Sequence, residues 1–200
     1  MILKICGITN AEDAAAAMAA GATALGFNFY PRSPRYITPE RAAALASSSG
    51  VRRVGVFVNE SRTCIEAIAR VARLDVAQLH GEEEAAEYPE QLAVWKAARV
   101  EQDFDFSQYA NCLAEALVLD GPAAKLYGGS GQTFDWSRAA ALEKRIILAG
   151  GLDASNVAQA IAQAHPWGVD ACSRLESAPG KKDHRKMAAF LAAAKAALST

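Results

Sequence analysis

Short apolar runs recur along the chain, and the stretches between them carry helix-start and helix-stop residues. The runs are LKIC (3–6), ALGFNF (24–29), RVGVFV (53–58), VAQLH (76–80), AVWKA (93–97), ALVLD (116–120), IILAG (146–150) and GVDAC (168–172). Runs this short and this continuously apolar suit strands covered on both faces. Asn10 can cap a helix that Gly21 ends, and Thr38-Pro39 sets an N-cap and an N1 proline before a segment closed by Gly50. Asn59 or Ser61 opens the next helix, Asp135 and Asp153 open two more, and the alanine-rich 184–199 forms the last. The stretch 82–90 is weakly patterned and ends by Pro89. Repeated strand–helix units predict a parallel sheet, and eight of them predict a closed (β/α)8 TIM barrel. A doubly wound open sheet is the alternative, but no GxGxxG follows the first strand. No composition break divides the chain, so residues 1–200 are expected to form one domain.

The polar residues have their own pattern. Cys6, Asn28, Asn59, His80, Lys96, Asp120, Gly150-Gly151 and Asp170 stand near the carboxyl ends of the apolar runs. Singly, such residues are helix caps or turn formers. A near-complete ring points to a site on the face where barrel enzymes carry theirs. Cys6 admits two readings at this stage, an inert buried thiol or a reactive one at the mouth of a strand. Two glycine-rich turns, Gly128-Gly129-Ser130-Gly131-Gln132-Thr133 and Ala149-Gly150-Gly151, lie late in the chain, and Cys172-Ser173-Arg174 follows the last strand. In this class of barrel such loops hold phosphate through backbone N–H groups, so together they favour a phosphorylated ligand.

Composition narrows the partners. The 200 residues are 52% hydrophobic with a formal net charge of -1, which offers no broad basic field for nucleic acid or anionic lipid. The four cysteines (Cys6, Cys64, Cys112, Cys172) are scattered, with no metal-ligand spacing and no disulfide framework. The apolar stretch Ala14 to Tyr30 is interrupted by Gly21, Thr23, Gly26 and Asn28, and reads as helix, turn and strand rather than a membrane span. The N-terminus lacks the features of a signal peptide, and a cytoplasmic protein with reduced thiols is expected.

KICGIT (4–9), GFNFYPRSPRYI (26–37), VGVFVN (54–59), QLHGEE (78–83), YGGSGQTFDW (127–136), AGGLDASNV (149–157) and SAPGKKDH (177–184) occur in that order. The ordered set resembles the phosphoribosylanthranilate isomerases of tryptophan biosynthesis from the first strand to the last helix. The resemblance implies an Amadori rearrangement of N-(5′-phosphoribosyl)anthranilate to 1-(2-carboxyphenylamino)-1-deoxyribulose 5-phosphate. That reaction is proton transfer throughout, so neither a metal nor a redox cofactor is expected. Cys6 matches the family's base and Asp120 its acid. The thiol must then be shifted down and the carboxyl up to work near neutral pH.

Arg35 matches the arginine that holds the anthranilate carboxylate, while Arg32 reads as a solvated charge. Asp170 is a candidate contact to a substrate hydroxyl or amine, and His80 is assigned no proton. Gly131, Gly150, Gly151, Ser173 and Arg174 are expected around the phosphate. The family commonly has Ser-Ser-Gly where this chain has Cys172-Ser173-Arg174, and lysine where Gln132 stands. Arg174 could add a charge-assisted bond to the phosphate or point away to Glu176 or solvent, and an ordinary backbone conformation with the side chain outward is the favoured expectation. The histidine-pathway aminoaldose isomerases are a sister reading, disfavoured because they place an aspartate where Cys6 stands. A non-catalytic phosphosugar-binding protein is the other, and it would require neither an acid nor a base. Oligomeric state is not legible.

Overall fold

The computed structural model describes residues 1–45, 50–101, 103–109, 111–121, 134–140 and 142–198. Eight parallel strands close into a barrel in chain order: β1 (Ile2–Ile5), β2 (Ala24–Asn28), β3 (Arg52–Phe57), β4 (Val76–Leu79), β5 (Ala93–Arg99), β6 (Ala116–Asp120), β7 (Ile146–Leu148) and β8 (Gly168–Ala171). β1 and β8 pair along their whole length, Ile2 with Gly168 through Ile5 with Ala171, and this seam closes the ring.

Strand alternation sorts side chains into two apolar layers. Ile2, Ala24, Val54, Val76, Trp95, Ala97, Ala116, Val118, Ile147 and Ala149 fill the barrel interior. The intervening positions, such as Leu3, Ile5, Leu25, Phe27, Leu79, Leu117 and Leu148, pack outward beneath the helices. Interior positions near the carboxyl ends of the strands are therefore where polar side chains can converge.

The helices are fewer than the strands. α1 (Ala11–Ala20) begins where the Asn10 side chain accepts from the Asp13 N–H, and ends at Gly21 in the left-handed region at φ 92°. α2 (Pro39–Ala44) is capped by Thr38 and ends at Leu45, before the expected closure at Gly50, with 46–49 outside the described residues. Ser61, rather than Asn59, caps α3 (Arg62–Ala72) by accepting from the Cys64 N–H. The weak 82–90 segment yields a single 3-10 turn, Ala85–Glu87.

Two expected helix starts are corrected. Asp135 caps only a 3-10 turn, Trp136–Ala139. The helix expected at Asp153 begins later, as α4 (Val157–Ala164), because the Asp153 carboxylate accepts from the Ser155 N–H and from Arg174 instead of capping a helix at once. After β8 the chain makes a 3-10 turn, Ser173–Leu175, and then an unexpected short hairpin, β9 (Glu176–Ala178) with β10 (Lys181–Lys182). The final helix, α5 (His184–Ala196), is capped by Asp183. No helix among the described residues is long and apolar enough to cross a membrane.

Candidate active site

A pocket opens over the carboxyl ends of the strands. Cys6, Asn28, Arg35, His80, Asp120, Gly150, Gly151, Asp170, Ser173 and Arg174 all line it. Gly131 lies outside the described residues. Two members of the sequence ring stand elsewhere, for reasons of strand parity and loop structure. Lys96 alternates with the interior positions of β5, and its Nζ donates to Gly81 O at 2.6 Å and to Glu83 at 2.7 Å. Asn59 is drawn into the same loop, its side-chain oxygen accepting from the Glu82 N–H and its own N–H donating to Glu83.

The β1–β8 seam is the more polar side of the pocket. Lys4 and Cys6 share the inner face of β1, two residues apart, and Asp170 and Cys172 do the same on β8. Lys4 is fully buried and its ammonium donates to Asp170 Oδ2 at 2.7 Å. Gly26 makes room for the pair above it. A Cβ there would lie 2.8 Å from Cys6 Sγ and 3.0 Å from Lys4 Nζ.

This setting separates the proton affinities. Cys6 is held well below the usual thiol range, first by a hydrogen bond donated from the Cys172 thiol and then by the ammonium charges of Lys4 and Lys182, against the opposing effect of burial. Cys172 is correspondingly raised, by its hydrogen bond with Cys6 and by partial removal from water. Burial pushes Asp170 up to about 7, with the neighbouring Cys6 sulfur adding to the shift and Lys4 resisting it. One ammonium thus serves two groups whose ionisation burial opposes. Asp170 Oδ1 is buried, has no hydrogen-bond partner among the described residues and belongs to a pocket-lining residue.

Across the pocket, burial raises Asp120 to about 6, with Cys6 adding to the rise and Arg99 and the Gly121 N–H opposing it. Gly150 permits this packing. Its φ is +79°, and a Cβ there would meet the Gly121 nitrogen at 2.3 Å and Asp120 Oδ1 at 2.7 Å. His80 is pushed down to about 3 by burial and by the charges of Lys4, Lys96 and Arg99, so its ring is neutral near pH 7. It stands 2.5 Å from the Gln78 side-chain nitrogen through Nε2.

Arg35 enters the pocket with two guanidinium nitrogens engaged. Nε and Nη2 donate to the two oxygens of Glu176 at 2.8 and 2.7 Å, a bidentate pair that leaves the Nη1 edge unengaged by Glu176. Lys182, with a fully buried side chain, reaches the same carboxylate at 3.0 Å. Of the partners considered for an outward Arg174, Glu176 gives way to Asp153. Arg174 turns outward to Asp153 at 2.8 Å, since Glu176 is already held by Arg35 and Lys182. Its backbone is ordinary, as expected, because it is not among the residues with positive φ. Gly150 and Gly151, at φ 79° and 62°, shape the loop after β7.

Sequence reasoning passed over Lys4, Cys172 and Glu176 as working residues. Lys4 carried a usable signal, a lysine inside a four-residue apolar strand and in phase with Cys6. Glu176 carried none, because the hairpin that presents it is not visible as a pattern.

Fold and pocket together define a (β/α)8-barrel protein with a lowered thiol and a raised carboxyl at the carboxyl face of its strands. Residues 3–193 match the model of the N-(5′-phosphoribosyl)anthranilate isomerase family, and the chain belongs to that family. It is 69% identical over 198 residues to the N-(5′-phosphoribosyl)anthranilate isomerase of Solibacter usitatus, with 99% of each chain covered. The crystal structure of the Thermotoga maritima phosphoribosyl anthranilate isomerase superposes with a TM-score of 0.89 at 40% identity, covering 98% of this chain and 100% of the other. A second phosphoribosyl anthranilate isomerase structure, in complex with reduced 1-(o-carboxyphenylamino)-1-deoxyribulose 5-phosphate, superposes with a TM-score of 0.85 at 38% identity, with 98% and 100% covered.

Proposed function

We propose that this chain isomerises N-(5′-phosphoribosyl)anthranilate to 1-(2-carboxyphenylamino)-1-deoxyribulose 5-phosphate in tryptophan biosynthesis, with Cys6 as base and Asp120 as acid. The observation that carries the assignment is that Cys6 and Asp120 line one pocket while their environments drive their proton affinities in opposite directions. A pair separated in this way divides into a base and an acid.

Asp120, protonated, gives its proton to the furanose ring oxygen as the C1′–O bond breaks, and the anthranilate nitrogen's lone pair closes the C1′=N bond of a protonated imine. The Cys6 thiolate then removes the proton from C2′, and the resulting enolamine tautomerises to the ketone. Burial serves the acid directly, since a carboxyl at about 6 retains protons that an ordinary aspartate would lose. The Cys172 hydrogen bond and the Lys4 charge serve the base by stabilising the thiolate. The unpartnered Oδ1 of Asp170 is suited to a substrate hydroxyl or amine.

Arg35 offers its Nη1 edge to the anthranilate carboxylate while Glu176 fixes the plane of the guanidinium. The phosphate is held by backbone N–H groups of Gly150, Gly151 and the Ser173-Arg174 turn, and Gly131, a further candidate from sequence, lies outside the described residues. The chain acts as one catalytic domain over residues 1–200, on a small phosphorylated substrate, in the cytoplasm and without nucleic-acid or membrane partners. The test mixes the protein with freshly made phosphoribosylanthranilate and follows the loss of anthranilate fluorescence. Rapid loss with the native chain and slow loss with Cys6→Ala is expected. A native rate no faster than the buffer control would overturn the assignment.

A further inference from the structure

We propose that Cys6 and Cys172 form a peroxide-sensitive dithiol that closes to a disulfide across the β1–β8 seam. Cys6 follows Ile5 and Cys172 follows Ala171, and Ile5 and Ala171 are register partners. The Cys6 N–H donates to Ala171 O at 3.0 Å, so the ladder reaches the cysteines themselves. Neighbouring strands run ~4.8 Å apart, and side chains at matched positions leave the same face of the sheet. That spacing falls within the Cα separation of about 4.4–6.8 Å that a disulfide bridges. Cys172 is also the largest influence holding the Cys6 thiol low.

Access and charge favour this pair over the other cysteines. Both residues are partly exposed and line the pocket, so a small neutral oxidant can reach them. The Lys4 charge lowers the Cys6 thiol, and Lys182 Nζ lies 3.8 Å from Cys172 Sγ. Cations at this range stabilise the thiolate, which is the form that attacks peroxide. Cys64 has the opposite setting, on α3 with its thiol raised by burial and by Glu60. Cys112 stands 3.7 Å from the Tyr88 hydroxyl and away from the pocket over the strand ends.

The oxidant is hydrogen peroxide. The Cys6 thiolate attacks one peroxide oxygen, the O–O bond breaks, and the departing hydroxide takes up a proton to become water. Cys6 is thereby oxidised by two electrons to a sulfenic acid. The Cys172 sulfur then attacks the Cys6 sulfur, the S–O bond breaks, and the leaving hydroxide departs as water with the Cys172 proton. In sum, two thiols and one peroxide give one disulfide and two waters. Loss of isomerase activity on closure rests on the reading of Cys6 as the base, whereas formation of the bond does not. Closure also protects Cys6, since a sulfenic acid with no thiol beside it proceeds to the irreversible sulfinic acid.

The full chain is treated with hydrogen peroxide under native conditions and followed by intact mass, peptide mapping and fluorescence assay. The native protein should lose two hydrogen atoms, fall from four free thiols to two, and yield a Cys6–Cys172 cross-linked peptide. Dithiothreitol should restore nearly all of its activity. Cys172→Ser should instead gain oxygen atoms on Cys6, and whatever activity it has should not return with dithiothreitol. Peroxide-treated native protein with no cross-linked peptide would overturn the proposal, as would equal recovery by Cys172→Ser. A cross-link that forms while activity persists would uphold the dithiol and remove Cys6 from the base role.

Discussion

On the β1–β8 side of the pocket, Lys4, Asp170, Cys6 and Cys172 share protons and charge among themselves. On the β6 side, Asp120 is buried with the charge of Arg99 and then the Gly121 N–H as its support. Burial penalises ionisation of Cys6 and Asp120 alike, yet their outcomes are opposite. Hydrogen bonds and cations overcome it for the Cys6 thiol, whereas nothing on the β6 side is strong enough to overcome it for Asp120. Depth alone therefore does not set a site's chemistry. The number and sign of the partners that burial encloses decide it.

The largest expected effects break one side at a time. Cys6→Ala and Asp120→Asn should each lower kcat by roughly 10²–10⁴-fold, the range for losing a general base or acid, with product binding retained. Asp120→Asn carries a second signature. A carboxyl raised to about 6 binds more protons folded than unfolded, so it costs the native protein stability as pH rises from 3.8 toward 6. Melting curves should show Asp120→Asn more stable than the native chain well above pH 6, with that advantage gone well below its unfolded pKa. An advantage independent of pH would mean that the carboxyl is not raised.

Removing the cation tests the other side. Lys4→Met should move the acidic limb of the kcat/KM profile to higher pH, because Cys6 loses a charge that favours its thiolate. Breaking a buried ion pair commonly costs about 3–5 kcal/mol. The loss here should be smaller, since Asp170 already sits at about 7 and takes up a proton readily. An unmoved acidic limb would leave the Cys172 hydrogen bond as the main support of the thiolate.

Recognition should respond less than catalysis. Arg35→Ala should weaken ligands bearing the anthranilate carboxylate, Arg35→Lys should recover only part, and a ligand without that carboxylate should lose much less. Titration of the paired ligands checks this, and equal losses would reduce Arg35 to a loop support held by Glu176. The smallest effect belongs to Arg174→Ala. Its exposed pair with Asp153 is worth about 0–1 kcal/mol, so phosphate-ligand affinity should barely change. Gly151→Val, at φ 62°, should damage that affinity far more.

Fold legibility followed the strength of local pattern. All eight barrel strands were readable because each is a compact apolar run, covered on both faces. Helices were readable where a cap residue directly preceded them, as at Asn10, Thr38 and Ser61. They were misread at Asp135 and Asp153, whose carboxylates accept from groups two residues on and build tight turns instead. The same residue type serves both structures, and local spacing does not separate them.

The sequence by itself determined the barrel, the order of its strands and the candidates at their carboxyl ends, because alternation and turn chemistry act over a few residues. The ring of candidates leaves Lys4 out and takes Lys96 in, although period-two phase puts Lys4 on the face of Cys6 and Lys96 opposite the interior residues of its own strand. Only the tertiary structure decided who partners whom. The Lys4–Asp170 pair joins residues 166 positions apart, and Arg35–Glu176 joins residues 141 apart. Such pairings exist because closing β1 against β8 brings the two ends of the chain together. A thiol's proton affinity depends on that closure, since the charges and hydrogen bonds that set it act through space and not along the chain.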